Sequence, residues 1–284
     1  MRKLVERLLL FFVGIPVIVA SIFFFPQCNY LMLHVELLAF TALAVLEMRN
    51  LLSKKLPVHP VPIALALGLF IPIASFLYAV LGFPLRVITF AIAIATVMVF
   101  IVEFFLSFNG KMDAVIGRIA STFIYILYPG YLVMYLAIMT VWPNAGAILS
   151  VFFIMVFGCD SLAWFFGMLF GRNNRGLIPA SPNKSVAGFV GGYVGSVAAG
   201  LIGMAVFAVP FAGSPLKMII LGAATATASI VGDIFESILK RSAGIKDSGN
   251  IIPGRGGVLD SIDSILLAAP VYYIACDVLY GFAK

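Results

Sequence analysis

The chain has 284 residues, of which 63% are hydrophobic and only 11% charged, with a formal net charge of +6 and a mean hydropathy of +1.14. Soluble domains carry about a quarter charged residues, and no soluble fold of this length could hide so much apolar surface, so the composition excludes a soluble protein and specifies a polytopic membrane protein. The apolar runs are long and continuous rather than short and alternating, which selects helices over barrel strands and gives an all-α fold class.

About nine helical spans fit the thickness of a hydrocarbon core, at roughly 8–25, 30–48, 60–81, 86–108, 114–141, 147–170, 187–210, 215–239 and 262–281. The first run, after Met1-Arg2-Lys3, is followed by no small-x-small cleavage site and reads as a membrane helix rather than a signal peptide. Pro26, Pro57, Pro60, Gly82, Pro84, Pro143, Pro210 and Pro215 mark the joins. Arg2, Lys3, Arg7, Arg49, Lys54, Lys55, Lys111, Arg172, Arg175, Lys184, Lys240, Arg241, Lys246 and Arg255 fall on one side if the spans alternate, against Arg86, Lys217 and Lys284 on the other. The positive-inside rule then predicts a cytoplasmic N-terminus, with the polar loops after spans six and eight on the cytoplasmic side.

Gly188, Gly191, Gly192, Gly195 and Gly203 lie inside the seventh span, and their small-residue spacing predicts close helix packing rather than a nucleotide loop. Cys28, Cys159 and Cys276 lack metal-ligand spacing and are expected as buried, inert thiols. His34 is expected at a buried or interface position and His59 in a loop before Pro60. Glu36, Glu47, Glu103 and Asp277 carry no motif and are expected as helix-end or inter-helix partners.

The stretch from Gly232 to Ser264 holds five of the chain's 12 acidic residues: Asp233, Glu236, Asp247, Asp260 and Asp263. Asp233, Glu236, Ser237 and Lys240 share one helix face at i, i+3, i+4 spacing. The Pro253–Gly257 turn offers N–H groups that could wrap an anion. Asp260 and Asp263 have two readings. They complete an oxygen-rich cage suited to Mg²⁺, or they cap the last helix, whose first turn favours acids. Asp233 and Glu236 lie near the end of an apolar span, where charge is costly and signals function.

These residues resemble the signature of the phosphatidate cytidylyltransferases (CDP-diacylglycerol synthases), S-x-x-K-R-x4-K-D-x-G-x3-P-x-H-G-G-x-x-D-R-x-D. The matching positions are Ser237, Lys240, Arg241, Lys246, Asp247, Gly249, Pro253, Gly256, Gly257, Asp260 and Asp263, preceded by the G-D-x-x-E of Gly232, Asp233 and Glu236. A second stretch is similar to the family's D-x-x-A-Y/W, G-x-x-F-G-R/K and S-P-x-K-S-x-E-G, through Asp160, Ala163, Trp164, Gly167, Phe170, Gly171, Arg172, Ser181, Pro182, Lys184, Ser185 and Gly188. Three positions depart from the pattern: the family histidine is Arg255, its arginine is Ser261 and its glutamate is Ala187. Arg255, on the same loop as Ser261, is the expected replacement for the lost phosphate-binding arginine.

The resemblance covers about the C-terminal half and divides the chain into N-terminal membrane helices at 1–110 and a catalytic membrane domain at 111–284. It implies transfer of CMP from CTP to phosphatidic acid, giving CDP-diacylglycerol and pyrophosphate in phospholipid biosynthesis. It further implies a nucleotidyltransferase of the cell's inner membrane whose site faces the cytoplasm. Asp233, Asp260, Asp263, Glu236 and Asp160 are the implied ligands of Mg²⁺, with room for a second cation. Lys240, Arg241, Lys246, Asp247 and Lys184 are the implied catalytic group. Ser181, Ser185, Arg172, Ser237, Gly256, Gly257 and Arg255 are the implied substrate contacts. CTP, phosphatidic acid and membrane lipids are the expected partners, with no nucleic acid; a homodimer is left open. Two alternatives stand beside this reading: a CTP-dependent polyprenol kinase with a similar C-terminal motif, and a non-catalytic or transport paralogue.

Overall fold

The computed structural model describes residues 15–108, 110, 112–252, 254 and 256–282. The described helices, in chain order, are α1 (Ile15–Phe23), α2 (Gln27–Leu52), α3 (Val61–Gly68), α4 (Phe70–Ala79), α5 (Arg86–Ser107), α6 (Val115–Tyr125), α7 (Leu132–Met139), α8 (Ala145–Phe170), α9 (Val186–Val206), α10 (Pro215–Ser242) and α11 (Leu259–Tyr280). The protein is an all-α, multi-pass membrane protein. Among the described residues eight stretches are long and apolar enough to cross a bilayer, with α3–α4 (Val61–Ala79) and α6–α7 (Val115–Met139) each forming one of them. The expected first span begins outside the described residues, and α1 is what is described of it.

One interruption and one close helix contact have sequence causes. Between α6 and α7 the helix widens over Ile126–Tyr131, around Pro129, because proline has no N–H to give the regular ladder. At Gly130 a Cβ would stand 2.6 Å from the Gly68 carbonyl oxygen, so glycine is what lets these two segments touch.

The chain divides into two compact units: one runs to Thr140 and includes Ser242–Ser261, and the other holds Val141–Arg241 and Ile262 onward. In the first, Ala44, Val45, Met48, Ala64, Val99 and Tyr125 are buried together with the polar His34, whose Nε2 lies 3.0 Å from Thr140 Oγ1. In the second, Ile148, Leu149, Phe152, Met218, Leu221 and Tyr272 form the interior, and the Tyr272 hydroxyl donates to the Ile148 carbonyl at 2.9 Å.

Helices α8 and α9 of the second unit pack through the glycines that the sequence places at small-residue spacing. A Cβ at Gly195 would collide with the Gly158 carbonyl, and one at Gly191 would come within 2.6 Å of the Leu162 carbonyl oxygen. Gly188, Gly191, Gly192, Gly195 and Gly203 are all buried inside α9, as packing requires and a nucleotide loop would not. Cys159 and Cys276 are buried as expected, but Cys28 is exposed: it sits at a left-handed turn (φ 51°) at the start of α2, outside the packed interior.

Candidate active site

The second unit builds its polar site from the end of α8, the loop to α9, the end of α10 and the start of α11. Ser185 ends that loop in extended conformation, and its Oγ accepts the Gly188 N–H at 3.0 Å, which makes it the N-cap of α9. The hydroxyl is buried against α8: a Cβ at Gly171 would lie 2.6 Å from it and one at Gly167 3.3 Å. The two glycines of the G-x-x-F-G motif are thus the space that Ser185 fills. Asn174 holds the loop's other strand. Its carbonyl accepts Val186 N at 3.1 Å, and its side chain donates to Phe170 O at 3.2 Å. Arg241, at the end of α10, donates to Ala180 O at 3.2 Å and ties that helix to the loop.

Lys184 is thereby aimed at α10, and its Nζ lies 2.6 Å from Asp233 Oδ2, with the two side chains 19% and 40% exposed. One turn further on, Lys240 pairs with the fully buried Glu236 four residues before it. Helix α11 approaches α10 at Gly232, where a Cβ would stand 2.5 Å from the Asp263 carbonyl oxygen. The G-D-x-x-E glycine is therefore what brings Asp263, itself 6% exposed, beside the carboxylates of α10. Asp263 lies within electrostatic reach of Asp233, Glu236 and Asp160. Four carboxylates thus come together from three helices, and two of them, Asp233 and Glu236, pair with the ammonium groups of Lys184 and Lys240.

Among the described residues no three His, Cys, Asp or Glu side chains are gathered tightly enough to enclose a metal ion as they stand. The donor chemistry nevertheless suits a hard divalent cation. Asp233, Glu236 and Asp263 offer only carboxylate oxygens, and carboxylates held this near one another need positive charge between them.

The signature loop belongs to the first unit and is ordered differently. Ile252 and Gly256 exchange N–H···O bonds of 2.8 and 3.0 Å, with Gly256 at φ +113°, a conformation that requires glycine. Asp260 Oδ2 accepts from Gly257 N at 2.7 Å, Ser248 N at 2.8 Å and Ser248 Oγ at 2.8 Å. The next two amides, Val258 N and Leu259 N, donate to the carboxylate of Glu47 in α2 at 2.9 and 2.8 Å. The N–H groups of Gly256 and Gly257 thus point at protein acceptors, and Asp260 joins the turn in the manner of a helix cap.

The structure therefore gathers Asp160, Asp233, Glu236, Asp263, Lys184 and Lys240, with Ser185 beneath Gly167 and Gly171 and Ser237 buried on α10. Ser181 is half-buried, its carbonyl accepting Lys184 N at 3.1 Å, while Arg172 is exposed. Lys246 and Asp247 are exposed on the signature loop, and Arg255 lies outside the described residues. Sequence reasoning missed Asn174 and expected Glu47 only as a helix-end or inter-helix partner, without its tie to the signature loop. Asn174 lay between the motifs, where its short polar side chain next to Gly171 was the available turn signal. Glu47 showed itself only as an acid inside an apolar span.

The model of the cytidylyltransferase family matches residues 5–279. The phosphatidate cytidylyltransferase of Thermotoga maritima is 35% identical over 184 residues, covering 60% of this chain and 62% of that protein. That of Haemophilus influenzae is 40% identical over 139 residues, 46% of each chain, and that of Helicobacter pylori 38% identical over 144 residues, 50% of this chain and 52% of the other. The matched stretch spans about half the length of most of these curated relatives. Since the family match takes in the α10 carboxylates, the signature loop and the N-terminal helix that carries Glu47, the chain belongs to the cytidylyltransferase family.

Proposed function

We propose that this protein transfers CMP from CTP to phosphatidic acid, forming CDP-diacylglycerol and pyrophosphate. The observation that carries the proposal is the pairing of Lys184 with Asp233 beside Glu236, Asp263 and Lys240 on adjoining helices. Such a site offers anions for a cation and cations for phosphates within one polar patch of an apolar bundle. The family relatives are named for this reaction.

In the reaction an oxygen of the lipid phosphate attacks the α-phosphorus of CTP. A new P–O bond forms, the α–β anhydride bond breaks, and pyrophosphate leaves with the bonding electrons. The nucleophile is anionic at neutral pH, so the residues need not supply a general base. Their work is positioning and charge neutralisation. Lys184, Lys240, Arg241 and Lys246 hold phosphate oxygens. Asp233, Glu236 and Asp263, with Asp160 near them, hold Mg²⁺. When bound, that cation supplies further neutralisation of the triphosphate. The site faces the cytoplasm of a cell membrane, a reading supported by the distribution of Lys and Arg.

The test is a mixed-micelle assay of the purified full chain with phosphatidic acid, Mg²⁺ and CTP labelled on the α-phosphate. Label entering lipid, and lost with Asp263→Ala, is the expected result. In a parallel assay with polyprenol and CTP labelled on the γ-phosphate no label should enter lipid, and label entering polyprenol there would replace the proposal with the kinase. No transfer from either position would overturn it.

A further inference from the structure

Glu47 is buried at 4% exposure in α2, far in sequence from every motif of the site. Its Oε1 accepts Val258 N at 2.9 Å, and its Oε2 accepts Leu259 N at 2.8 Å and faces Ser248 Oγ at 3.0 Å. Val258 and Leu259 lead into α11, where helix geometry leaves N–H groups without acceptors and the dipole favours an anion. The fit is close on the other side too. A Cβ on Gly249 or on Gly257 would run into the Glu47 carboxylate. Two glycines of the signature are therefore glycine because this distant carboxylate stands against them.

We propose that Glu47 is a positioning residue that fastens the signature loop to the N-terminal helices. Ser248 sits between two carboxylates, 3.0 Å from Glu47 Oε2 and 2.8 Å from Asp260 Oδ2, and its single hydroxyl proton serves one of them at a time. Lys246 and Asp247 immediately precede this buried serine and are exposed, so the clamp on Ser248 sets where those two side chains stand. The consequence for turnover rests on the cytidylyl-transfer reading above. The fastening of the loop does not.

Glu47→Gln keeps the shape but turns one accepting oxygen into an NH₂ group facing a donor, and Gly257→Ala pushes the same carboxylate from the opposite side. In the full chain in micelles, amide hydrogen exchange across residues 245–260 should quicken by at least about tenfold in each variant, with the other helices unchanged. In the α-labelled CTP assay kcat should fall by about 10–100-fold, as expected when reacting groups are misplaced by about 1 Å. KM for CTP should change less than kcat, because Lys184 and Lys240, which also hold phosphate oxygens in the proposed reaction, do not depend on Glu47. The double variant should lose less than the product of the two single losses, since both act on one contact. Unchanged exchange in Glu47→Gln overturns the proposal whatever the activity. Faster exchange with unchanged kcat overturns its functional half. If the wild-type chain makes no CDP-diacylglycerol, the proposed reaction fails and exchange alone decides the fastening. Gly257→Ala serves the same tests should Glu47→Gln not fold.

Discussion

Lys184 Nζ and Asp233 Oδ2, on a loop and a membrane helix of the same unit, stand 2.6 Å apart. With 19% and 40% of the side chains exposed, the pair contributes under about 1 kcal/mol to folding. In the proposed reaction each partner would keep the other at the site until phosphate and cation take over. Lys184→Ala should therefore leave the thermal midpoint nearly unchanged while lowering kcat/KM for CTP by about 10²–10³-fold, the scale of losing one charge-stabilising contact. Steady-state kinetics beside a melting curve check it, and a large loss of stability would contradict it.

Asp263 is buried near three other carboxylates, an arrangement that costs folding stability unless a cation offsets it. Replacing it by Asn removes a buried charge and its repulsion without changing volume. Without added cation, Asp263→Asn should melt a few degrees higher than the wild type. Mg²⁺ should raise the wild-type midpoint and leave the variant's largely unmoved. Melting curves with Mg²⁺ and with EDTA decide this independently of activity.

His59, fully buried between membrane segments, stands 3.1 Å from Glu103, which Arg118 grips at 2.8 and 2.6 Å. Burial lowers the imidazole's pKa below its usual value of 6.5; Glu103 pulls it back up and Arg118 pushes it further down. A base whose folded pKa is lowered binds a proton more readily once unfolded. Its stabilising contribution is thus complete above about pH 6.5 and is lost as pH falls from there through the folded pKa. The melting temperature should drop between pH 7 and pH 5, and His59→Gln should flatten that drop.

At Gly195 a methyl group would strike the Gly158 carbonyl, which is backbone and cannot swing aside. Gly195→Ala should cost about 1–3 kcal/mol by overpacking. Gly213→Ala offers a contrast: its Cβ meets open space, and its cost comes from a φ of +126° alone. Thermal denaturation in detergent should show collapse of the α8–α9 pair for the first variant and a local effect for the second.

Most of the helices were legible because hydropathy and the Pro and Gly joins are local properties of the chain. The seventh span, expected at 187–210, ends at Val206, and the eighth, expected at 215–239, runs on to Ser242. The first stops short because the chain leaves helical geometry at Phe207, ahead of Pro210, and the second runs on because Lys240, Arg241 and Ser242 continue the helix past the apolar run that announces it. The Asp260–Asp263 pair shows the limit more sharply. Three-residue spacing puts both on one helix face, yet Asp260 lies in the first turn, where the unsatisfied amides of the preceding loop claim its Oδ2. Asp263, a turn later, lies beyond those amides and is buried beside α10.

By itself the sequence determined that this is a helical membrane protein, where its spans run, and which family its motifs resemble. Each of these follows from a window of neighbouring residues or from spacing along the chain. Only the tertiary structure decided that Asp160, Asp233, Glu236 and Asp263 gather with Lys184 and Lys240, and that Glu47 holds the signature loop. Those relations join residues far apart in the chain. A buried charge announces in sequence that it needs a partner, but packing alone chooses which one it gets.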